Sequence, residues 1–285
     1  MSKAPQEHRY TIADLQQYAY QHGRNYTEVF TEWLDWIIDL WNPNNINEPQ
    51  FVDVMAKAHA ENELFFQMML QWMIDVTEAM EHGDVLDWFG NQYEEEIKSR
   101  GKAESLGQFY TPMSLCKMMA QVSADGQTDP EHITADDSAC GSGRTLLALE
   151  WVMTQKYGPS NRRFYTAADI DHVSCKMCAL NMMITGMCGE VLCRDTLRME
   201  TFYGYEINEV RWPFNTPLYS VRKITADEAS RLAIGRQKRM EHYRNGRVNH
   251  EAVSKANMQR AEQVAEQPAV AWTEKGQGLI NFDEL

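Results

Sequence analysis

Between residues 106 and 222 the sequence alternates short segments typical of strands with longer segments typical of helices. The short segments "HITADD", "RFYTAADI" and "GEVLCRD" have the length and residue types of strands, and the segments between them have helical periodicity. Strands that alternate with helices at this spacing pair in parallel through right-handed crossovers. The sequence therefore predicts an α/β fold built on a parallel sheet.

Two helical regions flank this part of the chain, so the sequence predicts domains at 1–105, 106–222 and 223–285. In the first region, apolar side chains recur at helical spacing and predict the core of a helical domain. The residues on this predicted face are Phe30, Trp33, Leu34, Ile37 and Trp41. The third region is polar and basic, and we interpret it as a helical extension with a solvated face or a docking role.

Charge is distributed unevenly along the chain, whose net charge is -14. Residues 1–105 carry 7 Lys and Arg against 19 Asp and Glu. An acidic surface repels the phosphate backbone, so the chain alone is expected to bind DNA weakly or only through a basic partner subunit. Oligomerisation stays open.

Six cysteines lie between positions 116 and 193, in a stretch that is predicted to be buried. We expect reduced thiols in a cytoplasmic protein, because the sequence has no apolar run for a membrane span or a signal peptide. A zinc site built from Cys175, Cys178, Cys188 and Cys193 is disfavoured, because the first pair falls inside a predicted helix. No metal is predicted.

Glycine and acidic residues follow the three predicted strands. Gly141 and Gly143, in "DSACGSG", permit a tight turn and close approach of a ligand to the backbone at a helix N-terminus. Asp169 ends the second strand, where an acid can accept hydrogen bonds from ribose hydroxyls. Asp195 ends the third strand, at a place suited to an exocyclic amine. Together these residues predict an adenosine-type pocket.

Four ordered motifs give the chain a specific resemblance. "YEEEIKSRGKAESLGQFYTP", "DSACGSGRTLL", "AADIDHVSCKMCALNMMITG" and "VLCRDTL" resemble the modification subunits of type I restriction-modification systems. That family consists of DNA adenine-N6 methyltransferases that use S-adenosylmethionine. The resemblance implies a Rossmann-like methyltransferase fold with an N-terminal helical domain, here with a sheet that looks truncated.

The resemblance also assigns the cofactor-binding residues. The turn in "GQFYTP" folds over the methionine end of the cofactor, and the Gly loop lies beneath it. The residues implied for the turn are Gln108, Phe109, Tyr110 and Thr111, and those for the loop are Asp137, Cys140, Gly141 and Gly143. Asp169 would bind the ribose and Asp195 the adenine amine. Ser138 and Arg144 depart from the family, which has Pro and a small residue there.

The catalytic loop of the family is not found intact. Its Asn-Pro-Pro-aromatic sequence accepts hydrogen bonds from the adenine amine and stacks on the flipped base. Here the nearest candidate is "NTPLY", in which Asn215 and Tyr219 are the implied amine-site residues. The apolar fourth strand that should precede it is missing, because "YGYEINEVRWPF" is polar and broken.

Two functions from different classes follow. The first is an S-adenosylmethionine-binding DNA adenine-N6 methyltransferase. The second is a catalytically inactive, methyltransferase-like module that regulates a restriction or defence system through protein contacts. The cofactor motifs favour the first, and the degenerate catalytic loop favours the second.

Overall fold

The structure is a computed structural model that describes residues 8–43, 55, 57, 62–99, 111–127, 129–130, 133–160, 162–209 and 219–234. The chain divides into two compact units, Met1–Ala229 and Ser230–Leu285. The described residues of the second unit, 230–234, are helical. Among the described residues, no helix has both the length and the apolar character that crossing a membrane requires.

Helices form the first part of the larger unit and then alternate with strands. The helices are α1 (Ile12–Gln21), α2 (Tyr26–Leu40), α3 (Glu63–Glu81), α4 (Trp88–Ser99), α5 (Met113–Ala124), α6 (Arg144–Tyr157) and α7 (His172–Ile184). The strands are β1 (Thr134–Asp137), β2 (Phe164–Asp169), β3 (Gly189–Asp195), β4 (Glu200–Ile207) and β5 (Val221–Thr225). A further helix begins at 226, as the sequence predicts, and its described part runs to 234.

Local sequence signals set several helix starts. Thr11 caps α1 in a capping box with Asp14, and Asn25 caps α2 through the Thr27 amide at 2.8 Å. Asp171 caps α7 by accepting from the Ser174 amide at 2.9 Å. These side chains satisfy backbone amides that have no partner inside the helix.

The five strands form one sheet in the order β1-β2-β3-β4-β5. β1, β2 and β3 are parallel, which confirms the predicted parallel α/β core. β4 and β5 add to β3 as antiparallel strands. In the described part of the chain, β1 pairs with β2 alone and forms one edge of the sheet.

Residues 203–207 of the segment predicted to be polar and broken belong to β4, which is antiparallel to β3, and residues 210–214 of that segment lie outside the described residues. Its Tyr205 and Ile207 are buried on one face, with period-two spacing. Only Thr196–Met199 separate β3 from β4, since Asp195 pairs with Glu200. A parallel connection needs a dozen or more residues, so this short turn allows only an antiparallel strand.

One hydrophobic core joins the N-terminal helices to the sheet. The predicted face of α2 is buried, with Phe30, Trp33, Leu34 and Ile37 fully inside, and it shares that core with Val191 of β3. α7 contacts α2 and α4 on one side and the strands on the other. The helical region thus supports the sheet directly.

Candidate cofactor site at the carboxyl edge of the sheet

The carboxyl ends of the three parallel strands lie at one edge of the sheet. Asp137 ends β1, Asp169 ends β2 and Asp195 ends β3. The register pairs Asp137 with Ala167 and Asp169 with Cys193. The three acids predicted from the sequence therefore share the edge at which open α/β sheets bind ligands.

The Gly loop is held by hydrogen bonds at both of its ends. Asp137 accepts from the Ala139 amide at 3.1 Å and from the Thr145 hydroxyl, so its carboxylate shapes the loop. The Cys140 amide donates to the Ala168 carbonyl at 2.9 Å, which ties the loop to β2. Asp137 and Cys140 thus hold the backbone of the Gly loop in place through these hydrogen bonds.

Gly143 occupies a position that requires glycine. It caps α6 with a φ of +93°, in the left-handed region that side chains disfavour. A Cβ at this position would lie 2.9 Å from the Cys178 Sγ, closer than van der Waals contact allows. Gly141 also has a positive φ, of +52°. The loop can thus bring its backbone close to α7 and to a ligand.

The N-terminus of α6 offers backbone donors to a ligand. Gly143 supplies no side-chain cap, so the first-turn amides are not bonded by a capping side chain. Such amides, together with the helix dipole, favour an anion such as a carboxylate. The site can therefore attract the carboxylate of an amino acid.

Asp169 has the free acceptor sites that two ribose hydroxyls need. Its Oδ2 accepts from the Gly141 amide and its Oδ1 from the Asp171 amide, both at 2.9 Å. A carboxylate has about four acceptor sites, and these bonds use two of them. The remaining sites on the half-buried side chain suit a vicinal diol.

Asp195 also keeps one carboxylate oxygen available. Its Oδ1 accepts from the amides of Leu197 and Arg198, each at 3.0 Å. Its Oδ2 lies 3.6 Å from the Nε of Arg198, whose side chain is 79% exposed. This oxygen can accept a hydrogen bond from an amine donor.

Two exposed apolar side chains next to these acids were not predicted. Ile170, directly after Asp169, is 59% exposed, and Leu197, two residues after Asp195, is 97% exposed. Apolar side chains beside a ribose-binding acid can contact the faces of a base. Both residues closely follow a strand-ending acid, and this position could have been used to predict them from the sequence.

The described end of the "GQFYTP" turn lies beside the Gly loop. The Thr111 carbonyl accepts from the Arg144 Nη1 at 3.4 Å. Gln108, Phe109 and Tyr110 lie outside the described residues. Of the four residues implied for the turn, the structure thus places Thr111, which contacts the first residue of α6.

Arg144, which departs from the family pattern, is a buried residue of this site. Its Nε lies 2.6 Å from the Asp87 Oδ2, and its Nη1 lies 3.0 Å from Glu94. Burial disfavours its charged form, but the carboxylates of Asp87 and Glu94 outweigh that effect and raise the pKa of Arg144. Sequence reasoning missed Asp87, because no local pattern links it to a residue 57 positions away.

Of the two predicted catalytic residues only Tyr219 lies in the described part of the chain, and it does not join this edge. Asn215 lies outside the described residues. Tyr219 precedes Val221, which pairs with Ile207, which in turn pairs with Gly189 at the start of β3. Since β3 has seven residues, Tyr219 lies roughly 20 Å along the strand from the edge of Asp195. The amine-site role expected for Tyr219 conflicts with this placement.

The opposite, amino-terminal edge is organised by a buried ion-pair network. The Arg163 Nη1 lies 3.0 Å from the Glu150 Oε1. The Tyr165 hydroxyl donates a hydrogen bond to the same carboxylate. A cavity of about 650 Å³ lies at this edge, lined in part by Trp151 and Tyr219. Its side chains include Glu150, whose carboxylate is already bonded.

The six cysteines are buried and form no disulfide with one another. The Cys140 thiol contacts Cys178, and this contact together with burial raises the pKa of Cys140 well above its ordinary value. No group of three or more potential metal ligands lies within the described part of the chain. In the described site the cysteines act as small core residues.

Comparison with known proteins shows which family and which relative the chain is similar to. A family described as "N-6 DNA Methylase" matches residues 84–242, more than half of the chain. The chain is also similar to a protein named "Type I restriction enzyme MjaIX methylase subunit" from Methanocaldococcus jannaschii. The two are 27% identical over 194 residues, 65% of this chain and 33% of that protein. The chain thus spans about a third of that relative's length.

A solved structure gives a weaker likeness. It is the type I restriction-modification methyltransferase subunit from Streptococcus thermophilus, with 19% identity and a TM-score of 0.33. The match covers 65% of this chain and 39% of the other. The family match, which includes all three strand-ending acids and the Gly loop, decides the assignment: the chain belongs to the N-6 DNA methylase family.

Proposed function

We propose that the chain binds S-adenosylmethionine at the carboxyl edge of β1, β2 and β3. Asp169 would accept from the ribose hydroxyls and Asp195 from the adenine amine. Gly141 and Gly143 would allow the backbone of the Gly loop to approach the methionine end of the cofactor closely. The observation that carries this proposal is the pair of free acceptor sites on Asp169, which its bonds to two backbone amides leave unused.

The surroundings of the two acids also suit the cofactor. Ile170 and Leu197 would contact the faces of the adenine ring, because both present apolar surface to solvent next to an acid. The uncapped N-terminus of α6 would attract the methionine carboxylate. Gln108, Phe109, Tyr110 and Thr111 would cover that end of the cofactor.

Methyl transfer to the N6 of adenine in DNA is the activity that family membership favours. Bound S-adenosylmethionine would supply a sulfonium methyl group. The protein would then have to hold the adenine amine in line with that methyl, and Asn215 is the residue proposed to accept from the amine. A flipped adenine would be required, because the amine is out of reach within the duplex.

A second candidate is a cofactor-binding module without methyltransferase activity. The antiparallel β4 and the location of Tyr219 favour it, because neither supplies an aromatic residue to the cofactor edge. Such a module would act through protein contacts on a restriction or defence system.

Partners follow from charge in either case. The acidic residues at 1–105 disfavour direct contact with phosphate, so a basic specificity-type subunit would bring DNA to the site. Self-association stays an alternative route to a complete site. We place the protein in the cytoplasm, where a methyltransferase meets DNA and where buried free thiols stay reduced.

Titration calorimetry with S-adenosylmethionine tests the proposal. We expect saturable binding by the wild-type chain and at least about a hundredfold weaker binding by Asp169→Ala, which removes two hydrogen bonds to a charged acceptor. Tyr219→Phe is the matched control, and it should bind like the wild type. Absence of binding at millimolar cofactor would contradict the proposal.

A methylation assay then separates the two candidates. The chain is incubated with duplex and single-stranded DNA and with tritiated S-adenosylmethionine. Label in adenine that disappears in Asn215→Ala supports the enzyme. Cofactor binding without label, also in the presence of a specificity subunit, supports the non-catalytic module.

A further inference from the structure

A buried carboxylate connects the helical region to the Gly loop. Asp87, which precedes α4, is 1% exposed. It accepts hydrogen bonds from Gly90 N at 2.8 Å, Ser142 Oγ at 2.5 Å, Arg144 Nε at 2.6 Å and Asn181 Nδ2 at 2.7 Å. One side chain thus binds its own helix, two residues of the Gly-Ser-Gly-Arg segment and α7.

Arg144 extends this network to the predicted cofactor turn. Its Nη2 donates to the Asn91 Oδ1 at 2.7 Å, and its Nη1 donates to Glu94 at 3.0 Å and to the Thr111 carbonyl at 3.4 Å. A planar guanidinium with five donors can serve three segments at once, whereas a lysine ammonium cannot reproduce this arrangement.

The packing around Asp87 leaves no room for adjustment. A Cβ on Gly90 would lie 1.9 Å from the Asp87 Oδ2 and 2.4 Å from the Ser142 Oγ. The Asn181 amide also donates to the Ser142 carbonyl at 3.0 Å, so both the side chain and the backbone of Ser142 are held. The network is closely packed at the point where the loop begins.

The loop needs such support because of its composition. Gly141 and Gly143 have more conformational freedom than any other residue type, and a flexible loop must lose that freedom when it binds a ligand. Ser142 and Arg144, which alternate with them, are both fixed to Asp87. Their bonds reduce the number of loop conformations before a ligand arrives.

We propose that Asp87 and Arg144 are positioning residues that hold the Gly loop in its ligand-binding conformation, so that the helical region sets cofactor affinity. This inference rests on the proposed function for its effect on affinity. The effect on the loop itself is independent of any cofactor.

A purely structural role is the alternative, and a second ion pair provides the control. Glu150 of α6 and the buried Arg163 form this partly buried pair at the amino edge of the sheet. Glu150→Gln should lower thermal stability without changing the loop. The control therefore separates a loss of stability from a loss of loop order.

The test uses Arg144→Lys and Asp87→Asn in the full chain. Hydrogen exchange of the amides at 140–144 is measured without cofactor, and the Kd for S-adenosylmethionine is measured by calorimetry. We expect exchange about tenfold faster and a Kd about tenfold weaker in both variants, and neither change in Glu150→Gln. If Arg144→Lys and Asp87→Asn do not fold, Glu94→Gln replaces them in the test, because it removes only the less buried ion pair of Arg144.

The outcomes are distinct. Unchanged exchange and unchanged Kd in folded variants would overturn the inference, as would equal changes in Glu150→Gln. If the wild-type chain binds no cofactor but the loop amides of the variants still exchange faster, the proposed function fails. The positioning of the loop by Asp87 and Arg144 then stands.

Discussion

The two edges of the parallel sheet differ in how their charged groups are bonded. At the carboxyl edge, Asp169 and Asp195 accept from backbone amides and keep acceptor sites free. At the amino edge, Glu150 is bonded to Arg163, Tyr165 and the Thr154 hydroxyl. Free acceptors suit ligand binding, whereas closed networks of buried side chains stabilise a fold.

This difference predicts that substitutions at the two edges have separate effects. Changes at the amino edge should alter the free energy of unfolding and leave cofactor affinity intact. Changes at Asp169 and Asp195 should alter cofactor affinity with little effect on stability, whereas changes in the Gly loop and in the buried Asp87–Arg144 pair that holds it should alter both.

Glu150→Gln should have the largest effect on stability. It removes the carboxylate beside Arg163, whose side chain is 1% exposed, and breaking a buried ion pair leaves an uncompensated charge. We expect a loss of about 3 kcal/mol in the free energy of unfolding, measured by urea denaturation. A loss below about 1 kcal/mol would show that the amino edge is not the more stabilising one.

Gly143→Ala should affect both properties. The positive φ and the contact with Cys178 make alanine costly, by about 2 kcal/mol, and the shifted loop should weaken cofactor binding. Gly23→Ala is the control, because Gly23 also has a positive φ but has open space around its Cβ position. It should cost about 1 kcal/mol and leave the Kd unchanged. Equal Kd values for both variants would contradict the role of the loop.

Asp195→Asn should change affinity with little effect on stability. The amide keeps one oxygen for the backbone amides of Leu197 and Arg198, but it replaces the free acceptor with a donor. We expect S-adenosylmethionine to bind about tenfold more weakly, as measured by calorimetry, because one hydrogen bond to a charged acceptor is lost. A Kd equal to that of the wild type would exclude Asp195 from the site.

Tyr165 should produce a small effect at alkaline pH. Burial, and next the Glu150 carboxylate, raises the pKa of Tyr165 above its ordinary value of about 10. Above about pH 10 the unfolded chain loses this proton and the folded chain keeps it, so the free energy of unfolding falls as pH rises. Tyr165→Phe should make that decline shallower. An unchanged slope in pH-dependent denaturation would contradict the prediction.

The parallel half of the fold was predictable from sequence, because its signals are local. β1, β2 and β3 are short segments between helical ones, and each ends in an acid, which after β1 is followed by the glycine loop. The buried face of α2 was predictable for the same reason, since helical periodicity alone places Trp33 inside.

The remaining features depend on contacts between distant residues. The direction of β4 follows from the length of the Thr196–Met199 turn, and its inward Tyr205 and Ile207 are separated by Glu206 on the other face. The bond between Asp87 and Arg144 has no sequence pattern. The location of Tyr219 depends on the register of β5 with β4, which no motif encodes.

Hydrogen exchange with and without S-adenosylmethionine tests the central claim most directly, because it compares the two edges in one experiment. We predict protection at 139–146, 169–172 and 195–198, and no change at 158–165 or 186–189. Protection at the amino edge instead, or unchanged exchange at both edges with saturating cofactor, would contradict a cofactor site at the carboxyl edge.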